Sequence, residues 1–234
     1  MKKTIISLVS ISVLASIGGG MVFADTTPGS PNPPAIGQLP SEQTPITANL
    51  TLPADKNVTP PSVPTPGPGE PAVVPPTVVQ QNGRGIVYYP GAQSVSATLQ
   101  ENGAQDIKLQ SQIHVGVKDT LRQKDAWTLT ATLNWGSNDL NGVTIKGSNA
   151  TVTENDGSGK LSPITNDLVT TPNADLTISD TPSTIMETTA GKMKNGVYDY
   201  QVNDFKINIP DASTVPAGSY TGTIDWNLSI VPNP

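Results

Sequence analysis

Strict two-residue alternation constrains this chain more than any other feature. Over 127–135, Trp127, Leu129, Ala131, Leu133 and Trp135 fall on one face, with Thr128, Thr130, Thr132 and Asn134 on the other. Over 220–230, Tyr220, Gly222, Ile224, Trp226, Leu228 and Ile230 share a face opposite Thr221, Thr223, Asp225, Asn227 and Ser229. Successive side chains of a strand point to opposite sides, so each segment predicts an antiparallel strand with one face on a core and one in water. Gly222 lacks a side chain and leaves room for a Trp from a neighbouring strand.

Shorter stretches repeat the period. Val95, Ala97 and Leu99 alternate, and Ile107, Leu109, Ser111, Ile113, Val115 and Val117 fall on one face. So do Val143 and Ile145, Leu176 and Ile178, Tyr198, Tyr200 and Val202, and Phe205, Ile207 and Ile209. Asn102-Gly103, Asn141-Gly142, Asp156-Gly157 and Asn195-Gly196 are hairpin-type turn signals. Only 184–193 reads as a short helix. Many short strands between turns predict an all-β fold, an antiparallel sandwich or barrel. The Asn-, Gly- and Ser-rich stretch 147–173 predicts a long hairpin or loop, a place for variable recognition.

The folded part is expected over 80–234, where all three Trp and all five Tyr lie. Before it, 25–79 holds 15 of the 23 prolines and no aromatic residue. Such a run cannot donate to a β-ladder or build a core, so it predicts a disordered, partly polyproline-II stalk acting as a spacer. Residues 1–24 read as a cleaved secretory signal. Lys2 and Lys3 precede an apolar run, and Val22-Phe23-Ala24 offers a cleavage site. No later stretch is apolar enough to cross a bilayer. The terminal Ser229-Ile230-Val231-Pro232-Asn233-Pro234 lacks the apolar tail and basic end of a covalent wall-sorting signal. Retention on a cell surface would then be non-covalent.

Charge and cysteine content narrow the setting. There are 13 Lys+Arg against 19 Asp+Glu, and removal of the signal leaves 11 against 19. An acidic, unpatterned surface argues against nucleic acid and against a polybasic grip on anionic lipid. The absence of Cys in an exported chain points to a bacterial protein rather than a disulfide-built eukaryotic one.

No catalytic pattern stands out. There is no Cys nucleophile, no G-x-S-x-G, no phosphate loop and no H-E-x-x-H. The single His, His114, alternates opposite the apolar residues of its strand and reads as an exposed or edge histidine. Nothing selects two of the carboxylates as a glycosidase pair. Glu154, Asn155 and Asp156 do not match a calcium loop and read as a polar turn. The chain is expected to be no enzyme, with no cofactor and no metal.

Trp127-Thr128-Leu129 and Trp226-Asn227-Leu228 resemble the paired motifs of the WxL surface-protein family. The run from Tyr220 through Gly222 to Trp226 and Leu228 is similar to that family's C-terminal signature. Ile207-Asn208-Ile209-Pro210 and Val215-Pro216-Ala217-Gly218 resemble its approach. The resemblance covers roughly 79–234. It implies an exported Gram-positive protein on the cell surface whose C-terminal domain associates non-covalently with peptidoglycan. WxL-interacting and other WxL surface proteins would be its partners. The alternative is a structural or adhesive subunit that reaches the wall only through a protein partner. The motif residues Trp127, Leu129, Tyr220, Gly222, Trp226 and Leu228 are the candidate site. Their apolar face predicts that the Trp and Leu side chains fill the core. The wall-holding surface is then expected on the Thr-lined faces or the loops.

Overall fold

The computed structural model describes residues 44, 46–137, 140–165 and 167–232. The expected signal 1–24 and the first part of the Pro-rich stretch lie outside the described residues. From Leu50 on, the chain forms one compact unit. Its strands are β1 (Thr77–Val78), β2 (Arg84–Tyr89), β3 (Gln105–Asp119), β4 (Ala126–Trp135), β5 (Thr144–Asn155), β6 (Leu161–Pro163), β7 (Val169–Thr170), β8 (Leu176–Ile178), β9 (Ser183–Thr188), β10 (Gly196–Ile209) and β11 (Gly222–Val231).

They form two antiparallel sheets, and the expected all-β class holds. The first runs β1-β2-β3-β10-β5-β6, with β8 also on β5; the second runs β11-β4-β9-β7. One core joins them. Ile113, Val115 and Val117 of β3 and Tyr198, Tyr200 and Val202 of β10 share it with Trp127, Leu129 and Ala131 of β4 and Ile185 and Met186 of β9. Each such side chain, fully buried, contributes about 1.5–3 kcal/mol. The two-residue period therefore sets which face of each sheet turns inward.

Three expectations change. The stretch 184–193 is not a helix; β9 occupies its first half. Its pairing with β4 slips between Leu129 and Thr130, and the bulge lets the neighbours Ile185 and Met186 both be buried. Val95 to Leu99 join no ladder. That segment is tied instead by Gln105, whose side chain donates to Thr98 O and accepts from Gln100 N. The stretch 147–173 does hold a hairpin, as expected: it opens inside β5, which runs to Asn155 and on which β6 pairs back. A tight turn then leads to β6, with Gly157 at φ 90° and the Asn155 carboxamide accepting from Gly157 N and Gly159 N.

The third change concerns the stalk, whose expected end at 79 moves back. Residues 55–78 lie on the first sheet. Val58 is buried with Val87, Tyr88 and Val197. Thr59 N donates to Gly157 O, and β1 pairs with β2. Proline lacks an N–H, but its segment keeps every carbonyl. This strap uses them as acceptors: Lys118 Nζ donates to Lys56 O, Asn155 to Thr59 O and Gln110 to Val74 O. A chain poor in N–H groups thus satisfies polar side chains on the sheet's outer face with its carbonyls.

The candidate site on the paired W-x-L strands

The fold brings the two W-x-L segments side by side. β11 pairs with β4 along its whole length without a register shift. Leu129 lies opposite Leu228, Trp226 opposite Ala131, and Trp127 opposite Ile230. Residues almost a hundred positions apart in sequence form one two-stranded unit.

Their environments differ. Trp127 and Leu129 are fully buried. The Trp127 indole tilts against Tyr198 with ring centroids 6.1 Å apart. Its Nε1 donates to Asp119 Oδ2 at 3.1 Å. Asp119 forms an ion pair with Arg84 at 3.0 Å, and Arg84 reaches Asp125 at 3.2 Å. Burial pushes the Asp119 carboxyl above its ordinary value, against the opposing pull of Arg84. Close by, buried Lys194 donates to Asp125 O and Thr189 O, and burial pushes its ammonium down. These are interior groups that hold the strand ends.

The second motif sits at a margin. β11 is the edge strand of its sheet, and Ile224, Trp226 and Leu228 are half-buried against the core. Gly222 faces Trp135: a Cβ there would lie 2.6 Å from the indole Cε3. The space expected for a Trp is thus filled by Trp135, whose Nε1 donates to Val143 O. Tyr220 packs on a smaller cluster of Leu140, Val143, Ile209 and Ala212. Its hydroxyl donates to Pro216 O at 2.5 Å, much as a tyrosine corner ties a sandwich strand to the chain upstream.

The outer face of this sheet is polar and open. Thr128 lies opposite Ser229, Thr130 opposite Asn227 and Thr132 opposite Asp225. Asp225, Asn227 and Ser229 are exposed. The Asn134 carboxamide donates to Asp225 Oδ2 at 2.5 Å, and Ser229 Oγ to Thr128 O at 3.3 Å. An exposed array of hydroxyl, amide and carboxylate groups results, able to exchange hydrogen bonds with a polar polymer. Elsewhere, a cleft of about 300 Å³ is lined by Thr171, Asn173, Asp175, Thr177, Ser183 and Tyr200, among others.

Sequence reasoning misplaced His114. It lies in the interior strand β3 and is buried. Nδ1 is 2.9 Å from Asp199 Oδ2. Tyr88 Oη donates to Asp199 Oδ1 at 2.9 Å and accepts from Asn155 Nδ2 at 3.1 Å. Asn155 in turn reaches the strap at Thr59 O. The face opposite the core is thus roofed by the strap, and the His–Asp pair offers no open position to a substrate. No local pattern in the sequence could have shown that roof.

No family model, curated protein or solved structure matches this chain.

Proposed function

We propose that this is an exported surface protein whose C-terminal β-domain associates non-covalently with the Gram-positive cell wall, as a member of the WxL group and without catalytic activity. One observation carries the reading: the two W-x-L segments are adjacent strands in continuous register. A two-part signature of one module requires such convergence, whereas two chance W-x-L triplets need not meet. Trp127 and Leu129 then build the module, and the exposed row Asp225, Asn227 and Ser229 beside Thr128 and Thr130 touches the wall polymer. Hydroxyls and amides suit a glycan, and an acidic chain gains little from wall polyanions. The half-buried apolar residues of β11 favour a second reading, in which a protein partner such as a WxL-interacting protein mediates attachment.

The test is co-sedimentation of the mature chain with protein-stripped walls. Direct attachment predicts binding that Asn227→Ala combined with Ser229→Ala weakens at unchanged melting temperature. No binding to stripped walls, restored by a wall-protein extract, would sink direct attachment in favour of the partner route.

A further inference from the structure

We propose that this protein assembles head to tail, with segment 46–52 of one copy adding as a strand to the free edge of β11 in a second copy. The inference is independent of wall binding. It starts from a segment and a strand edge of the same chain that pair with no strand among the described residues.

The first is the segment itself. Ile46, Ala48, Leu50 and Leu52 alternate with Thr47, Asn49 and Thr51, the same period that marks the strands of the domain. Among the described residues it pairs with no strand. Ile46 is 89% exposed, Leu50 90% and Leu52 47%. An apolar row at strand spacing, left in water, is half of a sheet contact.

The second is the β11 edge. Natural sheets blunt their margins with short strands, Pro, Lys or bulges. β1 and β7 have two residues each, and β6 has three including Pro163. β11 has ten residues, with no Pro, Lys or register shift.

The direction of its backbone groups can be worked out. Trp127 N–H and C=O both meet Thr188 of β9, and Leu133 N donates to Ser179 O. Antiparallel ladders alternate sides residue by residue. Thr128, Thr130, Thr132 and Asn134 therefore turn toward β11 and bond Ser229, Asn227, Asp225 and Thr223. The bond from Gly136 N to Thr221 O has the same phase. Ile224, Trp226, Leu228 and Ile230 are left turning their N–H and C=O groups to the open edge.

Side chains and charge agree with the match. An added strand would extend the apolar face beside Trp226 and Leu228 with Ile46, Ala48, Leu50 and Leu52. Its Thr47, Asn49 and Thr51 would continue the Thr, Asn and Ser row outside. The segment carries no charge and β11 only Asp225, so an acidic chain meets little like-charge repulsion there. Leu52 leaves the domain beside Gly83, Thr120 and Leu121, at the β2–β3 end of the first sheet, whereas β11 borders the second. Donor and acceptor are different surfaces, so each contact leaves one donor and one acceptor free, and the contact can propagate head to tail.

Light scattering on the size-excluded mature chain over a dilution series tests this. The mass is expected to rise with concentration beyond two copies. Leu50→Asp and Ile230→Pro should each return it to monomer, with unchanged circular dichroism and melting. Ile230→Pro removes an outward N–H and leaves the β4 bonds intact; if it melts early, Ile230→Lys takes its place. The chain has no Cys, so a Leu50→Cys chain mixed with an Ile230→Cys chain should form a mixed disulfide. A monomer at every concentration overturns the proposal, whether or not amides 46–52 are protected from exchange. So does assembly that survives both substitutions, or assembly lost in Ile230→Pro yet retained in Leu50→Asp, which would mean edge-to-edge pairing of β11.

Discussion

Replacing Trp127 and Trp226 separately by Ala distinguishes the two halves of the motif. Trp127 is fully buried, and its Nε1 is a donor to buried Asp119. Truncating a core Trp costs about 3–5 kcal/mol through lost contacts and the cavity left behind. Depriving the Asp119 carboxylate of a donor adds roughly 1–3 kcal/mol where water cannot replace it. Total stability for a domain of this kind is about 5–15 kcal/mol, so Trp127→Ala removes a large part of it. Trp226 is half-buried at the sheet margin. Its truncation forfeits only part of that transfer energy, about 1–2 kcal/mol. At roughly 2–4 °C per kcal/mol for a chain of this size, Trp127→Ala lowers Tm by on the order of 10 °C and Trp226→Ala by a few degrees. Urea unfolding followed by circular dichroism gives the two free energies. Trp127→Phe separates the contributions, because it keeps most of the volume and loses the donor. Equal costs for the two alanine variants would refute this assignment of interior and margin. So would a Trp127→Ala protein that melts like the wild type.

Two further perturbations address the margin and the strap. Gly222→Ala brings a methyl within 2.6 Å of the Trp135 ring. Overpacking of this kind costs about 1–3 kcal/mol, and a changed Trp emission should accompany the lower Tm. Asp55 reports on the strap. The hydrogen bond from the Lys118 ammonium, then that from Gly83 N, holds its carboxyl below the ordinary value of 3.8. A lowered folded value means that the anchoring is fully present above pH 3.8 and is lost as pH falls through the folded value. Protection of the Gly83 and Thr59 amides, followed by hydrogen exchange, should therefore drop on acidification below that point before the β4–β11 amides respond. Simultaneous loss of both sets would show that the strap is no separate unit.

The legible part of the fold was the part written in side-chain period. β4 and β11 follow their alternation, and the inward faces of β3 and β10 do too. Pairing order was not legible, because an edge strand and a central strand alternate alike. The half-exposure of Trp226 therefore could not be separated from the burial of Trp127. The strap was hidden for another reason. Its hold on Lys118, Asn155 and Gln110 comes from backbone carbonyls, which every residue has and no residue type announces. His114 was misread as a consequence: the polar face of β3 was assigned to water, and the strap occupies it. The alternation of 46–52 was present in the sequence, yet a proline-dominated composition over 25–79 drew it into the stalk.

This division decides what the motif residues can report. Trp127 and Leu129 make contacts that a ligand cannot reach without unfolding part of the core. A binding loss on changing them is inseparable from a loss of structure. Asp225, Asn227 and Ser229 are exposed, and their backbone groups are already spent on β4. Changing their side chains leaves both the core and the ladder in place. Ile224, Trp226 and Leu228 have the opposite character: their side chains lean on the core while their backbone groups face outward. One strand thus offers a side-chain surface to a polymer on its face and a backbone surface to a second strand at its edge. Occupation of one leaves the other open, so the proposed wall attachment and the proposed assembly are compatible on β11.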